Sequence, residues 1–278
     1  MAELATPLPM RADSLRFLAD YIYRESGIVL DEDKQYLLEA RLTPILQKAQ
    51  LGSFDALCSS LRTNGAPHPL HRQVVEAMTT HETLFFRDSA PFDALKTEIL
   101  PPLIEQRKAL RKLTFWSAAS SSGQEAYSLA MLLLEMGLGD WNIQILGTDL
   151  SEQILSRARE GRYMQIEVNR GLPASYLVKY FERKGTEWQL KENVRRMAHF
   201  EKFDLRQSMR TKGPFDVIFC RNVLIYFDVE TKKKILAELR GAMFTGGYLS
   251  LGGAETTLNL DDKFQRVTLG KAVFYKAP

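Results

Sequence analysis

The sequence predicts an α/β protein: a doubly wound sheet preceded by a small all-helical domain and carrying a small β insertion. Three observations predict it. Residues 14–78 show helical periodicities and no convincing strand, whereas from about residue 90 strand-length apolar runs alternate with helical stretches. An apolar strand at 113–118 passes through small residues, Ser117 to Gly123, into a helix whose Ala126, Leu129, Ala130, Leu133 and Leu134 recur with a 3.6-residue period. A second strand, 143–149, ends in the carboxylate of Asp149, the usual partner of a ribose diol at the edge of a doubly wound sheet.

In the first part of the chain, Asp13 is placed to cap a helix carrying Leu15, Leu18, Tyr21 and Ile22, which Gly27 stops. A second helix is expected over 33–48, with Leu37, Leu38, Leu42, Ile45 and Leu46 on its apolar face and a kink at Pro44. Ser53 caps a third over 54–61, turn chemistry fills 63–69, and a fourth helix spans 70–78. Helix is expected again over 89–108, interrupted by Pro101-Pro102. Strands follow at 113–118, 143–148, 216–220 and 248–251, and a terminal hairpin at 264–268 and 272–275 turns at Gly270-Lys271. The polar, aromatic-dotted stretch 177–200, with a turn at Lys184-Gly185-Thr186, is the β insertion. The boundaries implied are a helical domain over 1–82 and an α/β domain over 83–278.

Composition narrows the function. At 45% hydrophobic and 26% charged residues, the chain has the balance of a soluble globular protein, and 278 residues suffice for one large and one small domain. A net charge of +3 does not by itself indicate nucleic-acid binding. The N-terminus lacks the basic-then-apolar order of a signal peptide, and no apolar run reaches the roughly 20 residues that span a bilayer, so a cytoplasmic protein without membrane insertion is expected. The two cysteines, Cys58 and Cys220, are isolated, and His68 and His71 beside Pro69-Leu70 have no completing cysteine or acidic cluster. No metal site is expected, and the two histidines read as a surface loop.

The small-residue loop lets a ligand approach the backbone, and the following helix points free N–H groups at it. With Asp149 this argues for a nucleoside-containing cofactor. A dinucleotide would require G-x-G-x-x-G, whereas only Gly123 is present among Ala118, Ala119 and Ser120 to Ser122. S-adenosylmethionine carries no phosphate; it needs hydroxyls and a counter-charge for its ammonium, which Glu125 could supply. The alternative for Glu125 is complementing the helix dipole.

Four blocks, in order, resemble the chemotaxis receptor methyltransferase family: Thr80-His-Glu-Thr-Leu-Phe-Phe-Arg-Asp88, Trp116-Ser-Ala-Ala-Ser-Ser-Ser-Gly-Gln-Glu-Ala-Tyr-Ser128, Gly147-Thr-Asp-Leu-Ser151, and Phe215-Asp-Val-Ile-Phe-Cys-Arg-Asn-Val-Leu-Ile-Tyr-Phe-Asp228. The likeness covers essentially the whole chain, and the last block is its most specific part. It implies a Rossmann-like methyltransferase sheet. The implied activity is methyl transfer from S-adenosylmethionine to glutamates on the cytoplasmic helices of methyl-accepting chemoreceptors, releasing S-adenosylhomocysteine. It further implies that Thr83 and Arg87 line the cofactor's reactive end, Glu125 meets the methionine moiety, Asp149 the ribose, and Asp204 and Leu205 the adenine, with His81 among the cofactor-binding candidates. Asn222 and Val223 would close the pocket below the sulfonium, with Tyr226 nearby; Arg87 and Tyr226 are the catalytic candidates. The chain departs from the family pattern at His81, commonly asparagine, and at Gln124-Glu125-Ala126, often Glu-Glu-Pro.

A glutamate with a pKa of about 4.3 is already ionised at neutral pH, so this chemistry needs positioning and desolvation but no general base. The planar fork of Arg87 suits a carboxylate, and Tyr226 can donate or accept one hydrogen bond. Lys34, Arg41 and Lys48, spaced by sevens, fall on one helix face. They read either as a solvated face or as a rail for an acidic receptor helix, the reading that the resemblance favours, although residues 1–80 hold more acids than bases. Lys232-Lys233-Lys234 reads as the solvated face of a helix. The β insertion, where some relatives dock a receptor C-terminal peptide, looks shortened, its glycine-rich turn reduced to Lys184-Gly-Thr-Glu-Trp188, so recognition is expected to rely mainly on the basic face. A monomer acting on chemoreceptor cytoplasmic domains is expected. The alternative is a non-catalytic cofactor-sensing module acting by binding a partner; methylation of RNA or a small molecule is opposed by the weak charge and by the absence of an Asn-Pro-Pro-Tyr type motif.

Overall fold

The computed structural model describes residues 9–63 and 68–278. Residues 64–67 of the expected turn, and residues 1–8 of the segment read for a signal peptide, lie outside the described residues. By contacts the described chain forms two units: one runs up to Thr80 and includes Tyr226–Asp228, the other comprises His81–Ile225 and Val229–Pro278.

The first unit is helical. Helix α1 (Ala12–Ser26) buries Leu18, Tyr21 and Ile22 and ends at Gly27, whose φ of 76° lets its N–H bond Tyr23 O at 2.7 Å. Asp13 is not the cap: the extended Arg11 precedes the helix, and Asp13 sits in the first turn, where it favours the helix dipole and pairs with Arg16 at 2.8 Å. A 3-10 turn, Glu32–Lys34, leads into α2 (Gln35–Lys48), which continues through the exposed Pro44. Helix α3 (Phe54–Thr63) is capped by Ser53, whose Oγ accepts the Ala56 N–H at 3.2 Å. Helix α4 (Pro69–Met78) is capped by His68, whose Nδ1 accepts the Leu70 N–H. His71 lies within α4 and shares a 2.5 Å hydrogen bond with Tyr21. The two histidines are therefore structural parts of the helix and its cap, not an open loop. Leu18, Ile22, Leu38, Leu42, Leu57 and Val74 form the core of this unit.

The second unit opens with α5 (Ala90–Ala94), a π-helical turn over Leu95–Ile99, and α6 (Leu100–Arg107). The helix expected to break at Pro101-Pro102 instead runs on. The Leu100 N–H reaches back to Leu95 O, and proline at the start of the next segment needs no donor there. There follow β1 (Lys112–Ala118), α7 (Gln124–Glu135), β2 (Asn142–Asp149) and α8 (Glu152–Glu160), then β3 (Arg162–Met164), α9 (Gln165–Val168), α10 (Ala174–Tyr180), β4 (Phe181–Lys184), β5 (Glu187–Leu190) and α11 (Glu192–Arg195). Strands β6 (Ala198–Lys202) and β7 (Phe215–Cys220), helix α12 (Val229–Gly241), and strands β8 (Met243–Leu251), β9 (Gln265–Leu269) and β10 (Ala272–Lys276) complete it.

Seven strands form one sheet in the order β6-β2-β1-β7-β8-β10-β9. Strands β6 to β8 in that order are parallel; β10 is antiparallel to both its neighbours. The fold is therefore the expected Rossmann-like sheet, made mixed by β10. From the central β1 the chain first builds outward through β2 to β6, then returns to lay β7 on the other side of β1. The loops after β1 and β7 consequently diverge, leaving a crevice at the carboxyl ends of the strands.

A second sheet, β3-β5-β4, forms the insertion. It differs from the expected stretch 177–200 at both ends: it recruits Arg162–Met164 upstream, and Ala198, His199 and Phe200 pair with Ile145, Leu146 and Gly147 of β2. Both differences arise because short polar strands are defined by their partner strand and not by their own apolar periodicity. Tyr163, Phe181 and Leu190 of the small sheet share a core with Phe85 and the apolar face of α7.

Candidate active site

At the carboxyl edge the chain turns sharply out of β1. Ala119 (φ 59°), Ser121 (φ 50°) and Gly123 (φ 89°) alternate into the left-handed region, where an L side chain is strained and glycine is not. The loop is held by Ser120 N–H donating to Thr148 O at 2.7 Å and by Ser121 N–H donating to Asp149 Oδ2 at 3.0 Å. Phe86 (φ 49°), Asp88 (φ 53°) and Asn222 (φ 59°) add the same conformation in the segments after His81 and after β7. The three segments touch: Ser121 Oγ donates to His81 O at 2.9 Å, and Arg221 Nη2 to Arg87 O at 3.0 Å. Strain of this kind persists only where its surroundings enforce it, and it gathers at functional sites.

A polar chain, buried at Arg221 and exposed at Asp88, runs through this edge. Ser117 Oγ donates to Glu125 Oε1 at 2.7 Å, Arg221 Nη1 donates to Glu125 Oε2 at 3.1 Å, and Arg221 Nη2 to Asp88 Oδ2 at 2.7 Å. The Arg221 side chain is only 2% exposed and that of Glu125 12%. Arg87, half-buried, donates from Nη1 to Glu82 O at 3.0 Å. Asp149 is buried; Ser121 and Ser151 donate backbone N–H groups to its two oxygens at 3.0 Å each, and His81 Nε2 lies 3.9 Å from Oδ1. Burial pushes the Asp149 carboxyl above the usual range, against the pull of those amides and of His81.

The remaining expected residues are distributed as follows. Thr83 is half-buried in the segment before Phe85. Asp204 and Leu205 follow β6, beside the end of β2, since Phe203 N–H donates to Asp149 O at 3.0 Å; Asp204 pairs with Arg206 at 2.6 Å and Leu205 is buried. Asn222 and Val223 lie in the turn after β7. His81, Thr83, Arg87, Glu125, Asp149, Asp204, Leu205, Asn222 and Val223 thus all belong to the α/β unit. Tyr226 groups with the helical unit, where its carbonyl accepts the Val29 N–H at 2.9 Å. Lys34, Arg41 and Lys48 lie there too. Lys34 pairs with Asp31 at 2.8 Å, which raises its pKa. Arg41, half-buried, donates from Nη1 to Met78 O at 2.8 Å and from Nη2 to Thr80 Oγ1 at 3.1 Å, so it terminates α4. Lys48 is exposed.

Two residues of this edge escaped the sequence reading. Arg221, directly after the wholly buried β7, was detectable as a charge abutting an apolar strand. Glu255 receives backbone N–H groups from Asn222, Val223, Leu224, Ile225 and Gly252; its only signal was an acid shortly after the end of β8. Cys220 is no nucleophile candidate: burial, with Glu255 and Glu125 nearby, pushes its thiol far up. A cleft of about 180 Å³ opens at the opposite end of β1 and β7, beside Lys112, Pro214 and Phe244. Its Arg107 is paired with Asp216 at 2.9 Å and its Lys212 with Glu201.

The carboxyl edge is suited to a ligand that offers both donors and acceptors. Ser120 Oγ and Asn222 Oδ1 are buried polar atoms without a hydrogen-bond partner among the described residues, and Asp149 retains lone pairs beyond its two amides. Such a sheet with this edge suits the nucleoside cofactor of an S-adenosylmethionine-dependent methyltransferase, and the family comparison shows that class. Residues 13–79 match the family model described as CheR methyltransferase, all-alpha domain, and residues 81–273 match CheR methyltransferase, SAM binding domain. The chain belongs to the CheR family of chemotaxis methyltransferases and uses S-adenosylmethionine. It is 40% identical over 263 residues to chemotaxis protein methyltransferase 1 of Pseudomonas aeruginosa, covering 92% of this chain and 95% of the relative. Identity is 38% to chemotaxis protein methyltransferase Cher2 of Pseudomonas putida, with the same coverage. It is likewise 38% to chemotaxis protein methyltransferase 1 of Vibrio cholerae, over 98% of this chain and 99% of that relative.

Proposed function

We propose that the chain methylates glutamate side chains on the cytoplasmic helices of chemoreceptors, forming methyl esters, and that it does so as a cytoplasmic monomer. When bound, S-adenosylmethionine supplies a methyl group on a sulfonium and a neutral thioether leaving group. The chain's part is to hold and orient. Glu125, fixed by Ser117 and Arg221, pairs with the ammonium; Asp149 accepts the ribose hydroxyls; Asp204 and Leu205 meet the adenine; Asn222 and Val223 close the pocket. Thr83 and Arg87 line the reactive end, and His81 lies beside Asp149. Arg87 orients the incoming carboxylate, and Tyr226 keeps the hydrogen-bonding role that its motif implies.

The observation that carries this reading is the Ser117–Glu125–Arg221–Asp88 chain ending at the Arg87 carbonyl. It supports a preorganised site without a general base, which suits a nucleophile that arrives ionised. Lys34, Arg41 and Lys48 form the proposed receptor-facing rail. Receptor contact through them should weaken with salt, because screening acts over roughly 8–10 Å at physiological ionic strength. Among the described residues no helix is long and apolar enough to cross a membrane.

Incubation with methyl-labelled cofactor and receptor cytoplasmic domains tests the proposal. Label should appear on receptor glutamates and leave as methanol in mild alkali, as a carboxyl ester does. Alkali-stable label, or none, would refute it.

A further inference from the structure

Five backbone N–H groups converge on one carboxylate at the turn between β7 and the short 3-10 helix Leu224–Tyr226. Glu255 Oε2 accepts from Gly252 at 2.7 Å and Asn222 at 2.8 Å; Oε1 accepts from Leu224 at 2.7 Å, Val223 at 2.9 Å and, more weakly, Ile225 at 3.3 Å. The free N–H groups at the start of a helix are usually satisfied by the residue just before it. Here the acceptor comes from some thirty residues away in sequence, beyond the end of the neighbouring strand β8. The turn needs such help: Asn222 is held at φ 59° with its Oδ1 buried and unpartnered among the described residues. Asparagine enters that conformation more readily than other side-chain-bearing residues, and the bonds to Glu255 fix the turn around it.

We propose that Glu255 is the positioning residue of the cofactor pocket: its carboxylate clamps the 222–225 backbone and thereby aims Asn222 and Val223. This rests on the proposed function, in which those two residues lie against the cofactor. The donor pattern requires a carboxylate. Both oxygens face at least two N–H groups, so a glutamine at this position must turn its own NH2 toward donors. An aspartate is one methylene too short to span both strand ends.

The test uses the full chain carrying Glu255→Gln. Amide hydrogen exchange at 222–225 and 252 should accelerate. The Kd for S-adenosylhomocysteine and the KM for S-adenosylmethionine should each rise about tenfold or more, as expected when bonds to a charged group are lost. kcat at saturating cofactor and the KM for receptor should stay close to wild type. A role limited to stability would instead lower the active fraction and leave the cofactor KM alone.

Gly252→Ala provides a second route if the first variant folds poorly. A Cβ there would come within 2.7 Å of Glu255 Oε2, 2.8 Å of Asn222 Nδ2 and 2.9 Å of Asn222 N, which displaces the clamp and the turn it holds together while keeping the carboxylate charge, and it should shift the same constants in the same direction. In the unaltered protein the five amides should be among the protected ones; rapid exchange there overturns the clamp without any variant. If wild type fails to bind S-adenosylhomocysteine, the cofactor reading falls. If wild type and Glu255→Gln bind it equally well, the positioning role alone falls.

Discussion

Replacing Arg221 by methionine isolates the interaction on which the proposed site most depends. The guanidinium makes three hydrogen bonds, to Asp88, to the Arg87 carbonyl and to Glu125. The Asp88 side chain is 61% exposed, so that pair contributes at most about 1 kcal/mol. Glu125 is different: at 12% exposure, losing Arg221 leaves it a largely buried carboxylate with the Ser117 hydroxyl as its remaining side-chain donor among the described residues. Breaking a buried pair from one side costs about 3–5 kcal/mol, and the residual exposure of Glu125 points to the lower end. A loss of about 3 kcal/mol should lower Tm by roughly 6–12 °C, taking about 2–4 °C per kcal/mol for a unit of 150–250 residues.

Most of that loss should disappear when Glu125 is neutralised as well. A cycle of Arg221→Met, Glu125→Gln and the double variant, followed by urea denaturation, should therefore give a coupling energy of about 2 kcal/mol, within the usual range for contacting residues. S-adenosylhomocysteine affinity should fall in all three, because each removes or disorients the carboxylate proposed to meet the ammonium. Additive stabilities, with coupling below about 0.5 kcal/mol, would show that the geometry misleads and that Arg221 does not hold Glu125.

Asp149→Ala should weaken S-adenosylhomocysteine binding by about 1.5–3 kcal/mol, and calorimetry on the folded variant checks this; an unchanged Kd removes Asp149 from the ribose site. Because burial raises the folded pKa of Asp149, the stability linked to it is full below the unfolded value near 3.8 and is lost as pH rises through the folded value. Denaturation midpoints across that window should show this downward component in wild type and not in Asp149→Ala. Arg87→Ala should abolish most methyl transfer with little change in Tm, whereas Tyr226→Phe should reduce turnover modestly, since no deprotonation is required; near-normal turnover in Arg87→Ala would leave that residue without a catalytic role. Lys48→Glu should cut receptor methylation, most strongly at low salt, and spare cofactor affinity. It is a cleaner probe than reversal at Arg41, which would also strip the carbonyl partner from the end of α4. Methylation indifferent to Lys48, together with tight binding of a receptor C-terminal pentapeptide, would place docking elsewhere.

Local chemistry made much of this protein readable from its residues alone. The apolar stripe of α7, the small residues before it, the carboxylate ending β2 and the turn at Gly270-Lys271 between β9 and β10 each depend on neighbours a few positions away, so period and turn chemistry expose them. The resemblance in four blocks supplied the cofactor and the family. Tertiary structure alone decided the rest. Strand β6 is short and polar enough to pass for part of the insertion, and only its ladder with β2 makes it a sheet edge. Strand β10 forms the expected hairpin with β9, yet nothing in that hairpin says that it will insert beside β8. His68 and His71 looked like loop residues until a helix placed one at its cap and the other against Tyr21. Arg221 meets Glu125 across 96 positions and Glu255 meets Asn222 across 33. A hydrogen bond is satisfied by whichever group the fold brings within about 3 Å, and sequence separation carries no trace of that distance.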